Sequence, residues 1–266
     1  MPSDQLSESS PGFTLQTAEL DNKTFYCVNP EEVPIVYSQV QQYFSYNLAL
    51  EPGAVVWDVG ANVGLFAFWM QQTYPGVQIY SFEPVPILFQ ALQQNLPNID
   101  STNIQCFPFG LGREAKTVSF AYHPHATAMS TGYPYTPEER LELQTTIGQN
   151  LPPDQLEAFK PVLDRFFEYQ LIECQIKTAS EIIESQQISK IDLLKIDVEK
   201  AELDVLLGFT PEDLAKVQRL VIEVHDIDHR LQTIQELLTQ NQFQNIEIEQ
   251  EPGLAGSNIY NLHAWR

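Results

Sequence analysis

The feature that most limits what this chain can fold into is a short apolar run, Val55-Val56-Trp57. It leads straight into Asp58-Val59-Gly60-Ala61-Asn62-Val63-Gly64 and then into a helix-like stretch from Leu65 to Gln72. A strand that delivers a glycine-punctuated turn into a helix start is how a parallel sheet hands its chain to a covering helix. Gly60 allows a sharp turn at positive φ, and Gly64 allows the helix to lie close to the strand. The free amides of such a helix start favour a carboxylate or phosphate. The dinucleotide fingerprint G-x-G-x-x-G is not met, because Asn62 and Leu65 stand where its second and third glycines belong. Turns of this kind also occur in α/β proteins that bind nothing there.

The same rhythm repeats along the chain. Val77 to Phe82 predicts a second strand and Pro86 to Asn95 an amphipathic helix, with Leu88, Ala91 and Leu92 at helix spacing. A third strand is expected from Ile104 to Phe109, ending at Gly110-Leu111-Gly112. The rhythm then breaks. Residues 116–122 predict an extra strand, and Pro124 to Pro161 is rich in turn residues with two short helical patches. Strand 191–197, helix 199–207, strand 220–225, helix 230–240 and a strand pair, 245–249 and 259–265, complete the pattern. Strands alternating with helices predict an α/β fold, its parallel sheet covered on both faces. Residues 113–172 read as an insertion over the edge or mouth of that sheet, where loops often carry substrate contacts. Ahead of it, residues 1–30 read as a loose polar arm leading into one strand, Lys23 to Val28. Glu31 to Leu50 reads as helical and aromatic. The expected division is thus 1–50 for the arm and helical segment, and 51–266 for the main domain.

Charge narrows the partners. Acidic residues number 35 against 14 basic ones, a formal charge of −21, and the basic residues are scattered singly. Such a chain repels phosphate backbones and anionic lipid, so a small molecule is expected rather than nucleic acid or membrane. Cys27, Cys106 and Cys174 are far apart and odd in number, which argues against a disulfide framework or a zinc cluster. The first dozen residues lack the basic start and apolar run of a signal peptide, so a cytoplasmic location is expected. Oligomeric state is not written in the sequence, although the aromatic segment 36–46 would suit an interface.

Three strand ends carry candidate chemistry. Glu83 follows the second strand, 25 residues after Asp58, near the spacing of roughly 20 at which an acidic residue meets a ribose diol. Lys195-Ile196-Asp197-Val198-Glu199 ends a core strand, where ligands bind in open α/β sheets. Its carboxylates could serve as a general base, metal ligands or partners of a cationic cofactor. Glu199 and Glu202 could equally charge a helix start. The next strand ends in Glu223-Val224-His225, and His225 is the residue best suited to general-base work near neutral pH. His123 and His125 rank below it.

Taken in order, WDVGANVGLFAFW, YSFEPVP with Asn95 after it, FGLG, IDLLKIDVEKAELDVLLG and VIEVH resemble the FkbM family of S-adenosylmethionine-dependent methyltransferases. The resemblance covers roughly residues 50–226. It implies a Rossmann-like, seven-stranded class I methyltransferase fold, mostly parallel with an antiparallel last strand. It further implies that Asp58, Gly60, Ala61, Asn62 and Gly64 cradle the methionine end of S-adenosylmethionine, and that Glu83 holds the ribose hydroxyls beside Pro84 and Val85. Gly110 and Leu111 would line the adenine pocket, and Asp197 and Glu199 would face the sulfonium and the acceptor. The departure is Lys200, where the family usually has glycine. The implied reaction is methylation of a hydroxyl on a sugar, polyketide or other natural product, leaving S-adenosylhomocysteine. Asp197 or His225 would be the base and Glu199 would orient. Mg²⁺ between Asp197 and Glu223 or His225 is the less favoured addition. The rival readings are a nucleotide-linked Rossmann oxidoreductase or epimerase, and a non-catalytic module that binds the cofactor or a partner.

Overall fold

A computed structural model describes residues 14–43, 48–99, 101–150 and 153–266, the side chains of 101, 150, 153–159 and 252 excepted. The first part of the polar arm, and Phe44 and Tyr46 of the aromatic segment, lie outside the described residues. The chain opens with a hairpin, Gln16–Leu20 (β1) and Lys23–Cys27 (β2), followed by helix Glu32–Tyr43 (α1). Alternation then begins with Val55–Val59 (β3), Leu65–Thr73 (α2), Gln78–Phe82 (β4), Pro86–Asn95 (α3) and Ile104–Phe107 (β5). Gly110–Leu111 (β6), Lys116–Tyr122 (β7), Pro137–Asn150 (α4), Pro153–Phe166 (α5) and Gln170–Lys177 (β8) form the interruption. Ala179–Ser185 (α6), Leu193–Ile196 (β9), Glu202–Leu207 (α7), Pro211–Leu214 (α8) and Arg219–His225 (β10) follow. Arg230–Gln240 (α9), Asn245–Glu249 (β11) and Ile259–Trp265 (β12) end the chain.

Seven strands pair in the order β11-β12-β10-β9-β3-β4-β5, and β12 runs opposite to the other six. The Rossmann-like methyltransferase sheet with its antiparallel last strand is therefore present. Successive residues of the central strands serve opposite faces. Val56, Ile79, Leu193 and Val221 join one core with Phe25, Tyr37 and Phe68, beneath the hairpin, α1 and α2. Trp57, Phe82, Ile196 and Ile222 join the other, with Ile182, Val205 and Ile234 of α6, α7 and α9. Each such fully buried side chain stabilises the fold by roughly 1.5–3 kcal/mol. The hairpin and α1 share a core with α2 and α3 and are built into the covering layer.

Several elements differ from expectation. In place of a loose arm, β1 pairs with β2 from Gln16 onward. The third strand stops at Phe107, and Gly110-Leu111 leaves for a separate sheet of order β6-β8-β7. β8 and α6 were not legible, and the two short helical patches are 14-residue helices. The helix expected from 199 starts at Glu202, because Glu199 and Lys200 take φ of 50° and 76°. Both values lie in the left-handed region, which no helix can include. Within the described part of the aromatic segment, Tyr37 and Tyr43 are buried, and the Tyr43 hydroxyl donates to Glu223. No described helix is long and apolar enough to cross a membrane.

Candidate active site

The strand order reverses between β4 and β9, the neighbours of β3, and ligands of open α/β sheets bind outside strand ends at such a point. There the structure has a cleft lined by Gly60, Ala61, Asn62, Glu83, Lys195 and Asp197 among others.

Its floor is the glycine turn. Gly60 (φ 83°) donates its N–H to the Phe82 carbonyl at 3.1 Å. A Cβ there would lie 1.8 Å from the Asp197 carbonyl oxygen, so only glycine lets the two strand ends meet. Gly64 (φ 92°) does not serve the helix-to-strand approach expected of it; a Cβ there would strike Leu92 of α3 at 2.6 Å. Asn95, fully buried, fixes the turn from behind: its amide donates to the Val63 and Tyr26 carbonyls and its oxygen accepts from Tyr26 N–H.

Beneath the turn, Asp58 stands in register between Ser81 and Lys195. The Lys195 ammonium lies 3.1 Å from Asp58 and 3.5 Å from Asp197, and donates to the Gly60 carbonyl at 2.8 Å. Burial raises the Asp58 carboxyl and outweighs the help from Lys195. Asp58 is thus a buried support, and Lys195 is the cation that ties the ends of β3 and β9 together. Sequence reasoning did not single out Lys195, although its place before Ile196-Asp197 put it on the same face as Asp58.

Glu83 is 4% exposed, and its two carboxylate oxygens accept the N–H groups of Asn62 and Val85, each at 2.8 Å. Burial pushes its carboxyl up to about 7, against the lowering effect of those two hydrogen bonds. Pro84 and Val85 line the cleft beside it, whereas Gly110 and Leu111 do not. Gly110 sits behind Pro84 against Ile176, and Leu111 belongs to the core, so their expected place on the pocket wall is corrected. The missing wall comes from α1 (Val36, Val40) and from the insertion (Phe120, Thr127, Ala128). Glu32 of α1 joins these two regions by accepting from Thr127 Oγ1 at 2.8 Å and Ala128 N–H at 3.0 Å. Nothing in the sequence linked these segments to the turn.

The other side of the cleft is built from charge. Glu199 accepts from the Tyr135 hydroxyl at 2.8 Å and lies 3.2 Å from His225 Nε2. His225 Nδ1 is 2.9 Å from Glu202, which also meets Arg230 at 3.2 Å and the Lys200 N–H at 2.7 Å. Burial alone would push the His225 imidazole down, but Glu199 and then Glu202 hold it well above the usual histidine range. A ring flanked by two carboxylates that favour its charged form is poorly placed to accept a proton, which weighs against His225 as the general base. Asp197 is raised, chiefly by burial, and keeps its place on the cleft wall. Lys200 is buried and turned away from the cleft, its ammonium 3.0 Å from Glu139 and 3.6 Å above the Tyr135 ring. The insertion thereby closes over the β9 end. His123, also buried, contacts the Phe166 carbonyl.

Comparison with known proteins agrees with this architecture. The methyltransferase FkbM domain matches residues 58–248. The chain is 34% identical over 260 residues to the 31-O-demethyl-FK506 methyltransferase FkbM of Streptomyces tacrolimicus, covering 95% of this chain and 97% of that protein. It is 31% identical over 256 residues to a stretch of the AMB antimetabolite synthetase AmbE of Pseudomonas aeruginosa, covering 90% of this chain and 12% of the synthetase. It is 29% identical over 220 residues to the methyltransferase sdnD of Sordaria araneosa, covering 79% of this chain and 82% of that one. Neither the oxidoreductase reading nor the non-catalytic one finds support in these matches.

Proposed function

Because this chain belongs to the FkbM methyltransferase family, we propose that it transfers a methyl group from S-adenosylmethionine to a hydroxyl oxygen of a small molecule, a sugar, polyketide or other natural product. The observation that carries the cofactor reading is Glu83: a carboxylate in the cleft wall, fixed by two backbone N–H groups and next to the glycine turn. Each of its oxygens retains a lone pair, which suits a vicinal diol. The glycine that admits no Cβ and the apolar Val63, Val85 and Leu88 beside it fit the rest of an adenosyl group. The oxygen acceptor is favoured by the relative whose name specifies an O-demethyl substrate.

When bound, the cofactor supplies a methyl carbon already activated by its sulfonium. The protein's share is alignment and removal of one proton. Asp197, on the cleft wall and 3.5 Å from the Lys195 ammonium, is the base we assign. Lys195 keeps that carboxylate and the Gly60 carbonyl in fixed relation. Glu199 orients the acceptor, itself held by Tyr135 and the His225 imidazolium. Calorimetric titration with S-adenosylhomocysteine tests the reading. Micromolar binding is expected, with a loss of about 2–5 kcal/mol in Glu83→Ala, where the hydrogen bonds to a charged acceptor are gone. A folded wild-type chain that binds none would sink it.

A further inference from the structure

Glu223 and His225 project from one face of β10, two residues apart, and Glu199 comes over from the turn after β9. One donor atom from each of the three lies within 4.8 Å of the other two. His225 Nε2, in a residue only 3% exposed, finds no aligned hydrogen bond, although Glu199 Oε2 is 3.2 Å away. At that spacing a divalent ion can take the place of the Nε2 proton, the imidazole nitrogen and the carboxylate oxygen becoming two of its ligands. Donors at right angles around an ion, each roughly 2.1 Å from it, stand about 3 Å apart.

The outer contacts have the same character. His225 Nδ1 faces Glu202 at 2.9 Å, and Glu202 is anchored in turn by Arg230 and the Lys200 N–H. A carboxylate that fixes the far nitrogen of an imidazole is the usual support of a metal-bound histidine. The neighbouring charges point the same way. Lys195 answers Asp58 and Asp197, Lys200 answers Glu139, and Arg230 answers Glu202. Among the described residues, no Lys or Arg ion-pairs with Glu199 or Glu223.

We propose that Glu199, Glu223 and His225 form a divalent-cation site beside the cleft, which Glu199 lines, its imidazole favouring Mn²⁺ over Mg²⁺. Two carboxylates and one imidazole leave about three positions of an octahedral ion for water and an acceptor hydroxyl. The role of the site rests on the methyltransferase reading; its existence does not. In that role, the acceptor oxygen bound to the ion forms its new bond to the methyl carbon. The carbon–sulfur electron pair leaves with sulfur, and the hydroxyl proton passes to Asp197.

The test is Mn²⁺ titrated into the full chain, followed by electron paramagnetic resonance for stoichiometry and by electron spin echo modulation for nitrogen coupling. One Mn²⁺ per chain is expected, with an imidazole ¹⁴N coupling that disappears in His225→Gln. Mn²⁺ affinity should fall about 10–100-fold in Glu223→Gln and in the outer variant Glu202→Gln. No saturable uptake, or a bound Mn²⁺ without nitrogen coupling in the wild-type chain, would overturn the site; that spectrum depends on no variant folding. S-adenosylhomocysteine calorimetry on the same samples separates the two readings. Nitrogen-coupled Mn²⁺ in a chain that binds no S-adenosylhomocysteine would support the cation site and remove the methyltransferase role.

Discussion

The two walls of the cleft are made by opposite strategies. The wall around Gly60 and Glu83 is assembled from residues close in sequence, and backbone groups hold it: Gly60 and Ala61 N–H on Phe82, Asn62 and Val85 N–H on Glu83. The wall around Asp197, Glu199 and His225 is assembled from side-chain charges brought in by α1, the insertion, β9, α7 and β10. A backbone-built wall is rigid and chemically plain, fit for a ligand whose shape does not vary. A wall of opposed charges is strained and tunable, fit for the part of the reaction that moves protons.

The hardest way to break the first wall is Gly60→Ala. A methyl 1.8 Å from the Asp197 carbonyl, at a φ of 83°, must push the β3 and β9 ends apart. The expected cost is about 3 kcal/mol or more in urea unfolding, with S-adenosylhomocysteine binding abolished. The second wall breaks chemically instead. Asp197→Asn should lower kcat by roughly 10²–10⁴-fold on any accepted hydroxyl substrate, with little change in S-adenosylhomocysteine affinity. An unchanged kcat would place the base elsewhere.

A smaller effect sharpens the contrast through pH. With the Glu83 carboxyl pushed up to about 7, only the ionised form accepts both ribose hydroxyls, so S-adenosylhomocysteine affinity should fall about tenfold between pH 8 and pH 6. Glu83→Gln should flatten that profile. The linkage to stability runs the opposite way. The folded chain holds a proton that the unfolded chain has already released, so stability without ligand should decline by about 3 kcal/mol as pH rises from about 4.5 through 7. A pH series of urea unfolding on wild type and Glu83→Gln measures that difference.

The smallest expected effect concerns Lys200, which sits at a φ of 76° where glycine would be at ease. Lys200→Gly should be more stable than Lys200→Ala by about 1 kcal/mol in urea unfolding. Both lose the contacts to Glu139 and Tyr135, but only alanine keeps the left-handed strain. Equal stabilities would mean the turn relaxes once the ammonium is gone.

This chain's strand-and-helix rhythm, its glycine turn and the place of Glu83 follow from the sequence alone, because each depends on neighbours a few residues away. Short apolar runs bounded by turn residues mark the buried parallel strands, and a turn that leaves no room for a Cβ demands glycine locally. Even the unusual Lys200 was visible as a departure, though not its conformation. What only the tertiary structure decided is the state and company of the charged groups. His225 had the look of a base until Glu199 and Glu202 closed on it and held its proton. Gly110 and Leu111 looked like pocket residues until they paired with β8 in a second sheet. Tyr43 and Tyr135 reach Glu223 and Glu199 from 180 and 64 residues away. Burial and Coulomb interaction depend on distances in space, and no spacing in a single sequence encodes those distances.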